Sequence, residues 1–201
     1  MPKRDDLYME KQRTRIAEAA LKVLLEKGVY ETTLRDICSR AGVSMGALYT
    51  HYATKDDLIV AACALDWTDR ERTAAVSDWN SYLALARTDV GDDLSDRQRR
   101  RFRLSMQFVA ELWMRDSNPP GLSTIYLIYR NQIERSLKAC HERGEIELPL
   151  GLPSTVEAHM QIIAGANYQR AADRELDGNH IRNAMEKALA LTAGRKEGLN
   201  G

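Results

Sequence analysis

The stretch from Thr32 to Leu58 constrains the fold more than any other part of the chain, and it reads TTLRDICSRAGVSMGALYTHYATKDDL. Its first apolar residues recur at spacings of three and four, which predicts the buried stripe of a short amphipathic helix. They are Leu34, Ile37, Cys38 and Ala41. Gly42 ends that helix, and Ser44 is suited to cap a second helix that buries Leu48 and Tyr52. Two short helices joined by a tight glycine turn predict a helix-turn-helix motif.

The outer face of the second helix carries no carboxylate. Its residues are Met45, Gly46, Ala47, Tyr49, Thr50 and His51. A surface with hydroxyl groups and a histidine, and without negative charge, suits a polyanion. Gly46 costs about 1 kcal/mol relative to alanine in a helix interior, so we expect another molecule to approach the backbone there.

A third helix follows directly. Thr54 and Asp57 have the spacing of a capping box, which predicts the start of this helix. Lys55 lies in its first turn, where free N–H groups and the positive end of the helix dipole favour a phosphate.

These residues together resemble the DNA-binding signature of the TetR family of transcriptional regulators. The agreement covers Thr33, Ile37, Ala41–Ser44, Gly46, Leu48, Tyr49, Tyr52, Lys55 and Leu58. A helix-turn-helix alone is a short motif that ordinary helical hairpins imitate, for example in a helical enzyme. Agreement over most of the signature in one register favours the family. Beyond Leu58 no further motif aligns with it.

Composition and charge limit the classes of protein that this sequence can belong to. The chain has 201 residues, with 29 Lys plus Arg and 29 Asp plus Glu, so its net charge is zero and DNA binding must depend on local placement of charge. The first fifteen residues are locally basic, which indicates a solvated terminus or, secondarily, a phosphate contact.

The 3 cysteines and 4 histidines show no metal-ligand spacing, so we expect no metal and no cofactor. No apolar run is long enough for a membrane helix and no signal peptide is visible, which predicts a cytoplasmic protein.

Helical periodicity continues to the end of the chain and predicts an all-α protein. We expect a three-helix, helix-turn-helix DNA-binding head in residues 1–53 and a helical regulatory, ligand-binding and dimerisation domain in residues 54–201. The first helix is predicted from Glu10 to Lys27, with Gly28 as its end signal. A helix after Leu94 is apolar on two sides and is predicted to be largely buried.

Two further breaks organise the second domain. Pro119–Gly121 is predicted to interrupt the helices, and Gly178 with Asn179 to precede the last one. Ser154 with Glu157 predicts a capping box at the start of the helix between these breaks.

The resemblance implies a homodimer whose two heads bind a palindromic double-stranded operator, with a small organic effector that releases the DNA. By position in the motif, Thr33, Tyr49, His51 and Lys55 are implied to contact the DNA backbone. The residues implied to face base edges are Ser44, Met45, Gly46, Ala47 and Thr50. This helix offers no Arg, Lys, Asn or Gln, so we expect contacts to thymine methyl groups, water bridges and DNA shape to carry the specificity.

The regulatory domain offers candidates for two further sites. Aromatic and methionine side chains suit an apolar effector pocket, although they are equally typical of an ordinary core; they are Trp67, Met106, Trp113, Tyr126 and Tyr129. For the dimer interface we expect two helices with close-packing residues. The predicted residues are Met160, Ile163, Ala164, Gly165, Asn167, Ile181, Met185 and Leu189. His159 and Asn167, polar within an apolar helix, are candidates for buried hydrogen bonds in the dimer.

Three classes of protein compete for this sequence. A helical enzyme needs a convergent nucleophile, acid–base pair or metal site, and no such spacing is visible. A ligand-independent architectural DNA binder needs a more basic surface than a neutral chain offers. A ligand-responsive regulator, most simply a repressor, fits both the neutral composition and the apolar second domain.

Overall fold

The computed structural model describes residues 2–73, 76–87, 90, 92, 94–114, 122–172 and 175–195, with the side chains of 2–5, 67–73, 109, 112, 113 and 122–125 excepted. These ranges contain helices and no strand, which confirms the predicted all-α class. The helices are α1 (Pro2–Glu31), α2 (Leu34–Ala41), α3 (Met45–His51), α4 (Lys55–Thr73), α5 (Trp79–Ala86), α6 (Asp96–Trp113), α7 (Leu122–Glu142), α8 (Leu152–Ala172) and α9 (Gly178–Ala193). None of the described helices is long and apolar enough to cross a membrane.

The chain divides into two compact units. The first comprises Met1–Asp69 and Arg100–Tyr126, and the second comprises Arg70–Arg99 and Leu127–Gly201. In the first unit, the core formed by α1, α2 and α3 also includes residues of α4 and Leu104 of α6. The residues from α4 are Leu58, Ile59 and Ala62. The core of the head therefore extends past residue 53, because the start of α4 buries its apolar stripe there.

Helix α1 is longer than its apolar stripe predicts, since it begins at Pro2 and not near Glu10. Gly28 interrupts it with a φ of 84° and a ψ of 177°, as expected of an end signal. A side chain rarely adopts a positive φ, which is why glycine suits this position. Apolar residues at helical spacing on one side of α1 are buried in the core of the first unit: Ile16, Ala20, Val23 and Leu24.

The second unit packs α5, α7, α8 and α9 around its own core. Helix α8 begins at Leu152, so the predicted capping box at Ser154 is wrong. Pro153 is favourable in a first turn because the N–H that proline lacks has no helical partner there. Glu157 instead binds Arg130, with 3.0 Å between Oε1 and Nε. Helix α9 begins at Gly178 itself, and the side chain of Asp177 caps it.

Helix α6 is not largely buried at its described positions. Leu104 is 5 % exposed and lies in the core of the first unit, whereas Phe102, Met106 and Phe108 are half-buried. Arginines occupy part of the helix surface, and their charge keeps that side in water. The predicted break at Pro119–Gly121 lies outside the described residues.

Candidate functional site

Helix α2 is closed at both ends by flanking residues, of which Gly42 is the predicted end signal and Thr33 is a cap that was not predicted. Thr33 adopts an extended backbone and accepts a hydrogen bond from the N–H of Asp36, whose carboxylate accepts one from the N–H of Thr33. Hydrogen bonds from Lys27 and then Thr33 lower the pKa of Asp36 to about 2. Gly42 ends the helix in the left-handed conformation, with φ 64° and ψ 40°. The Thr33 hydroxyl also donates to Asp36, over 2.7 Å, so it serves the helix cap.

Helix α3 is fixed by one cap and two buried side chains. The hydroxyl of Ser44 accepts from the N–H of Ala47 over 3.1 Å. Leu48 and Tyr52 are 0 % and 2 % exposed, as the apolar pattern predicts. The hydroxyl of Tyr52 donates to the carbonyl of Arg13 over 2.9 Å, and the Arg13 guanidinium lies 4.8 Å from the centre of the Tyr52 ring. These contacts tie the orientation of α3 to α1.

The opposite side of α3 is an exposed face without a carboxylate. Ser44, Met45, Gly46, Ala47, Tyr49 and Thr50 are all exposed, and His51 is half-buried. A side chain added at Gly46 would meet open space, since the nearest atom to its Cβ position is the Ser44 hydroxyl at 3.9 Å. We call the residues from Ser44 to His51, with Leu48 excepted, the reading face. The sequence prediction and the structure therefore bring the same residues together.

Two side chains of the reading face are held by contacts that the sequence did not reveal. The Thr50 hydroxyl donates to the carbonyl of Gly46 over 3.1 Å, so its proton is already bonded within the helix. The thiol of Cys38 lies 3.4 Å from the sulfur of Met45, and burial raises the pKa of that thiol. Cys38 therefore stays a neutral thiol near neutral pH, and it contacts the sulfur of Met45 from the core of the first unit.

Lys55, the predicted phosphate contact, begins α4 and is half-buried. Its ammonium group donates to the carbonyl oxygen of Val29 over 3.3 Å. An ammonium group has three donors, so this bond directs the Lys55 side chain and leaves capacity for an anion.

A groove of about 450 Å³ continues the reading face toward α1. Helix α1 contributes Tyr8, Gln12, Arg15 and Ile16 to its lining, and the helix-turn-helix contributes Gly42, Val43, Ser44, Ala47, Thr50 and His51. The lining contains no carboxylate. Tyr8 and Gln12 are not among the predicted site residues: Tyr8 precedes the predicted start of the first helix, and both belong to the locally basic segment that is predicted to be solvated.

The predicted effector residues are only partly described. Met106 is half-buried and Tyr126 is 48 % exposed, while Tyr129 packs against the core of the second unit. The side chains of Trp67 and Trp113 lie outside the described residues.

The second unit also contains a buried aromatic cluster that was not predicted from the sequence. The hydroxyl of Tyr82 lies 2.7 Å from Nδ1 of His159, and the two rings are stacked with centroids 5.6 Å apart. Trp79 lies edge-on to His159, at 6.3 Å between centroids. Nδ1 of His159 therefore bonds within the chain itself, whereas Nε2 is buried without a hydrogen-bond partner among the described residues, so a dimer hydrogen bond of His159 stays a prediction. Burial lowers its pKa to about 4.

A second buried polar group lies on α7. Gln132 is 4 % exposed, yet neither the oxygen nor the nitrogen of its side-chain amide has a hydrogen-bond partner. A buried polar atom without a partner costs about 1 to 3 kcal/mol, so this amide is an unusual feature of the core.

The structure divides the predicted dimer residues into two sets. Ile163, Ile181, Met185 and Leu189 are buried in the core of their own protomer, so they are not open to a partner, and the prediction is corrected at these positions. Met160 packs against the same core and Asn167 is half-buried. Ala164 and Gly165 remain exposed on α8.

A helix-turn-helix with an exposed, carboxylate-free second helix defines the protein as one of the helix-turn-helix DNA-binding proteins. Residues 16–62 match the model of the family described as bacterial regulatory proteins, tetR family. These residues are the DNA-binding domain of the TetR family of transcriptional regulators, and that family is not one of enzymes.

Known proteins are similar to this chain over different lengths. The transcriptional regulator SrpR of Pseudomonas putida is 26 % identical over 191 residues, or 90 % of this chain and 85 % of SrpR. The regulator PksA of Bacillus subtilis is 42 % identical over 81 residues, which span 39 % of this chain and 38 % of PksA, less than two thirds of that relative. A crystal structure of the multidrug binding protein EbrR with ethidium has the same fold, with a TM-score of 0.64 and 23 % identity over 88 % of this chain and 97 % of EbrR.

Proposed function

We propose that the protein is a ligand-responsive repressor that binds a palindromic operator as a homodimer and is released by a small organic effector. The observation that supports DNA binding is the reading face, which is exposed, carries no carboxylate and is open at Gly46. In a two-fold symmetric dimer, two such helices would enter successive major grooves of one operator.

Base recognition on this face depends on small contacts. Because the Thr50 proton is bonded to Gly46, Thr50 offers DNA its methyl group and an oxygen acceptor. Met45 and Ala47 add apolar surface, and apolar side chains recognise the methyl group of thymine. We therefore infer that the operator half-site presents thymine methyl groups to α3.

Substitutions at Lys55 and Met45 should separate DNA affinity from DNA selectivity. Lys55→Ala is expected to weaken operator and random DNA equally and to lower the salt slope by about one unit per head, because one phosphate is no longer neutralised. Met45→Ala is expected to cost about 1 to 3 kcal/mol on the operator and much less on random DNA. Titrations of both DNAs at several salt concentrations measure these effects.

Lys138→Ala is the control for the loss of one positive charge, since Lys138 is an exposed lysine of α7 in the second unit. It should leave both affinities and the salt slope unchanged. If Lys55→Ala weakens the operator but not random DNA, Lys55 does not act as a general phosphate contact and this part of the proposal is wrong.

The exposed side of α8 and α9 is the surface that we propose for dimerisation. Ala164 and Gly165 are small and exposed, so they allow a partner helix to approach closely. Tyr168 of α8 is 69 % exposed and Leu191 of α9 is 80 % exposed. A partner that covers such side chains stabilises the dimer by about 25 cal/mol for each Å² of apolar surface removed from water.

We further propose that the effector is recognised through the unpartnered amide of Gln132. A compound with a hydrogen-bonding group on an aromatic or apolar frame would satisfy this amide and recover part of its burial cost. Tyr129, one of the predicted effector residues, lies three positions earlier on α7, which places it on the same side of the helix. That EbrR binds ethidium supports an aromatic frame.

Gln132→Leu should raise the unfolding free energy of the effector-free protein by about 1 kcal/mol, because leucine fills a similar volume without an unpartnered polar group. Urea unfolding at fixed protein concentration measures this change. Asn131→Leu, at the exposed neighbouring position, should leave stability nearly unchanged. A loss of stability in Gln132→Leu would show that the amide is bonded in the free protein and would contradict its role as an effector contact.

A further inference from the structure

One face of α6 is attached to the first unit through residues spaced by three. Arg101 binds Asp66 of α4, with 2.9 Å between Nε and Oδ1, and both side chains are mostly buried, at 15 % and 12 % exposed. Leu104 is buried in the core. Gln107, the next residue in this series, binds the end of α1.

Gln107 supplies an acceptor to a backbone N–H at the interruption of α1. Its Oε1 accepts from the N–H of Val29 over 3.0 Å, and Val29 is 6 % exposed. A Cβ atom at Gly28 would lie 2.5 Å from the same oxygen. The φ of 84° favours glycine at position 28, and a side chain there would push the Gln107 amide away from its bond to Val29.

The carbonyl group of Val29 is used as well, since it accepts from the ammonium group of Lys55 over 3.3 Å. Two side chains thus bind the backbone of one residue: Gln107 fixes its N–H, and its carbonyl directs Lys55. The two bonds join α6 to the first turn of α4 through Val29.

We propose that Gln107 is a positioning residue for DNA binding, which holds the Val29 backbone so that its carbonyl directs the Lys55 ammonium group to a DNA phosphate. This inference rests on the proposed function, in which Lys55 contacts the phosphate. Gln107 itself touches no DNA in this arrangement, so its effect on affinity passes through Lys55.

Variants of Gln107 test this chain of contacts. Gln107→Met keeps the length of the side chain and removes the acceptor, so operator affinity should fall about 3- to 10-fold, the range that one hydrogen bond accounts for. The salt slope should fall by about one unit per head, as in Lys55→Ala. Gln107→Glu retains an acceptor for the Val29 N–H and should stay within about twofold of the wild type. Circular dichroism checks that the Gln107→Met protein is folded. If it is not, Gln107→Ala takes its place, because alanine removes the acceptor without adding bulk.

The double variant with Lys55→Ala decides whether Gln107 acts through Lys55. We expect Gln107→Met to have no further effect on operator affinity or salt slope in the Lys55→Ala protein, because coupled residues are not additive. If it weakens binding there by the same factor as in the wild type, the proposal for Gln107 is overturned while the phosphate role of Lys55 stands. If Lys55→Ala alone leaves the salt slope unchanged, the proposed phosphate contact fails first.

Discussion

Gly46→Leu is expected to lower operator affinity by at least about 100-fold, or about 3 kcal/mol, while the protein stays folded and dimeric. In the free protein the new side chain meets open space, since only the Ser44 hydroxyl lies within 4 Å of the Cβ position. Leucine also has a higher helix propensity than glycine, by up to about 1 kcal/mol. The side chain would, however, occupy the space through which the backbone of α3 approaches the base edges.

Binding titrations with operator DNA measure this effect, and circular dichroism with sedimentation confirms the fold and the dimer. Gly46→Ala is the matched control for size: a single methyl group should give an intermediate loss. A folded Gly46→Leu dimer with near wild-type operator affinity would mean that α3 is not the helix that enters the groove.

The unfolding free energy is expected to fall by about 2 kcal/mol between pH 7.5 and pH 5 because of His159 alone. Burial lowers the pKa of His159 from 6.5 to about 4 in the folded protein. The unfolded chain therefore binds this proton first as the pH falls, and protonation favours the unfolded state. The stabilisation is fully present above pH 6.5 and is lost progressively down to about pH 4.

His159→Gln isolates this contribution, because glutamine does not titrate and can still accept a hydrogen bond from the Tyr82 hydroxyl. Urea unfolding at pH 7.5 and pH 5, at one protein concentration, should show a pH dependence about 2 kcal/mol smaller in this variant. The control is His180→Gln, which replaces an exposed histidine of α9. Equal pH dependence in the wild type and in His159→Gln would show that His159 is not held neutral by burial.

The sequence by itself determined the helix-turn-helix, because the interactions that define it are local. The Thr33 cap, the left-handed Gly42 and the Ser44 cap each involve residues within four positions of one another. The apolar residues of α2 and α3 then decide which side of each helix is buried. The opposite side of α3 becomes the reading face. Family resemblance followed from the same residues, since it depends on a continuous motif.

The starts of α8 and α9 were predicted less well, because several residues near each break are suited to begin a helix. At α8, Ser154 and Glu157 have capping-box spacing, but Pro153 extends the first turn and Arg130 binds Glu157. A local pattern does not decide where a helix starts when a side chain from another helix, here Arg130, binds the carboxylate that the capping box would use.

Only the tertiary structure decided which contacts join distant parts of the chain. Tyr82 and His159 are 77 positions apart, and Val29 and Gln107 are 78 positions apart. The same holds for Ile163, Ile181, Met185 and Leu189, whose spacing predicts a buried stripe but not whether a partner or the protomer itself buries it. Periodicity reports the angle of a side chain around its own helix, whereas the neighbour that covers it is set by how the helices pack.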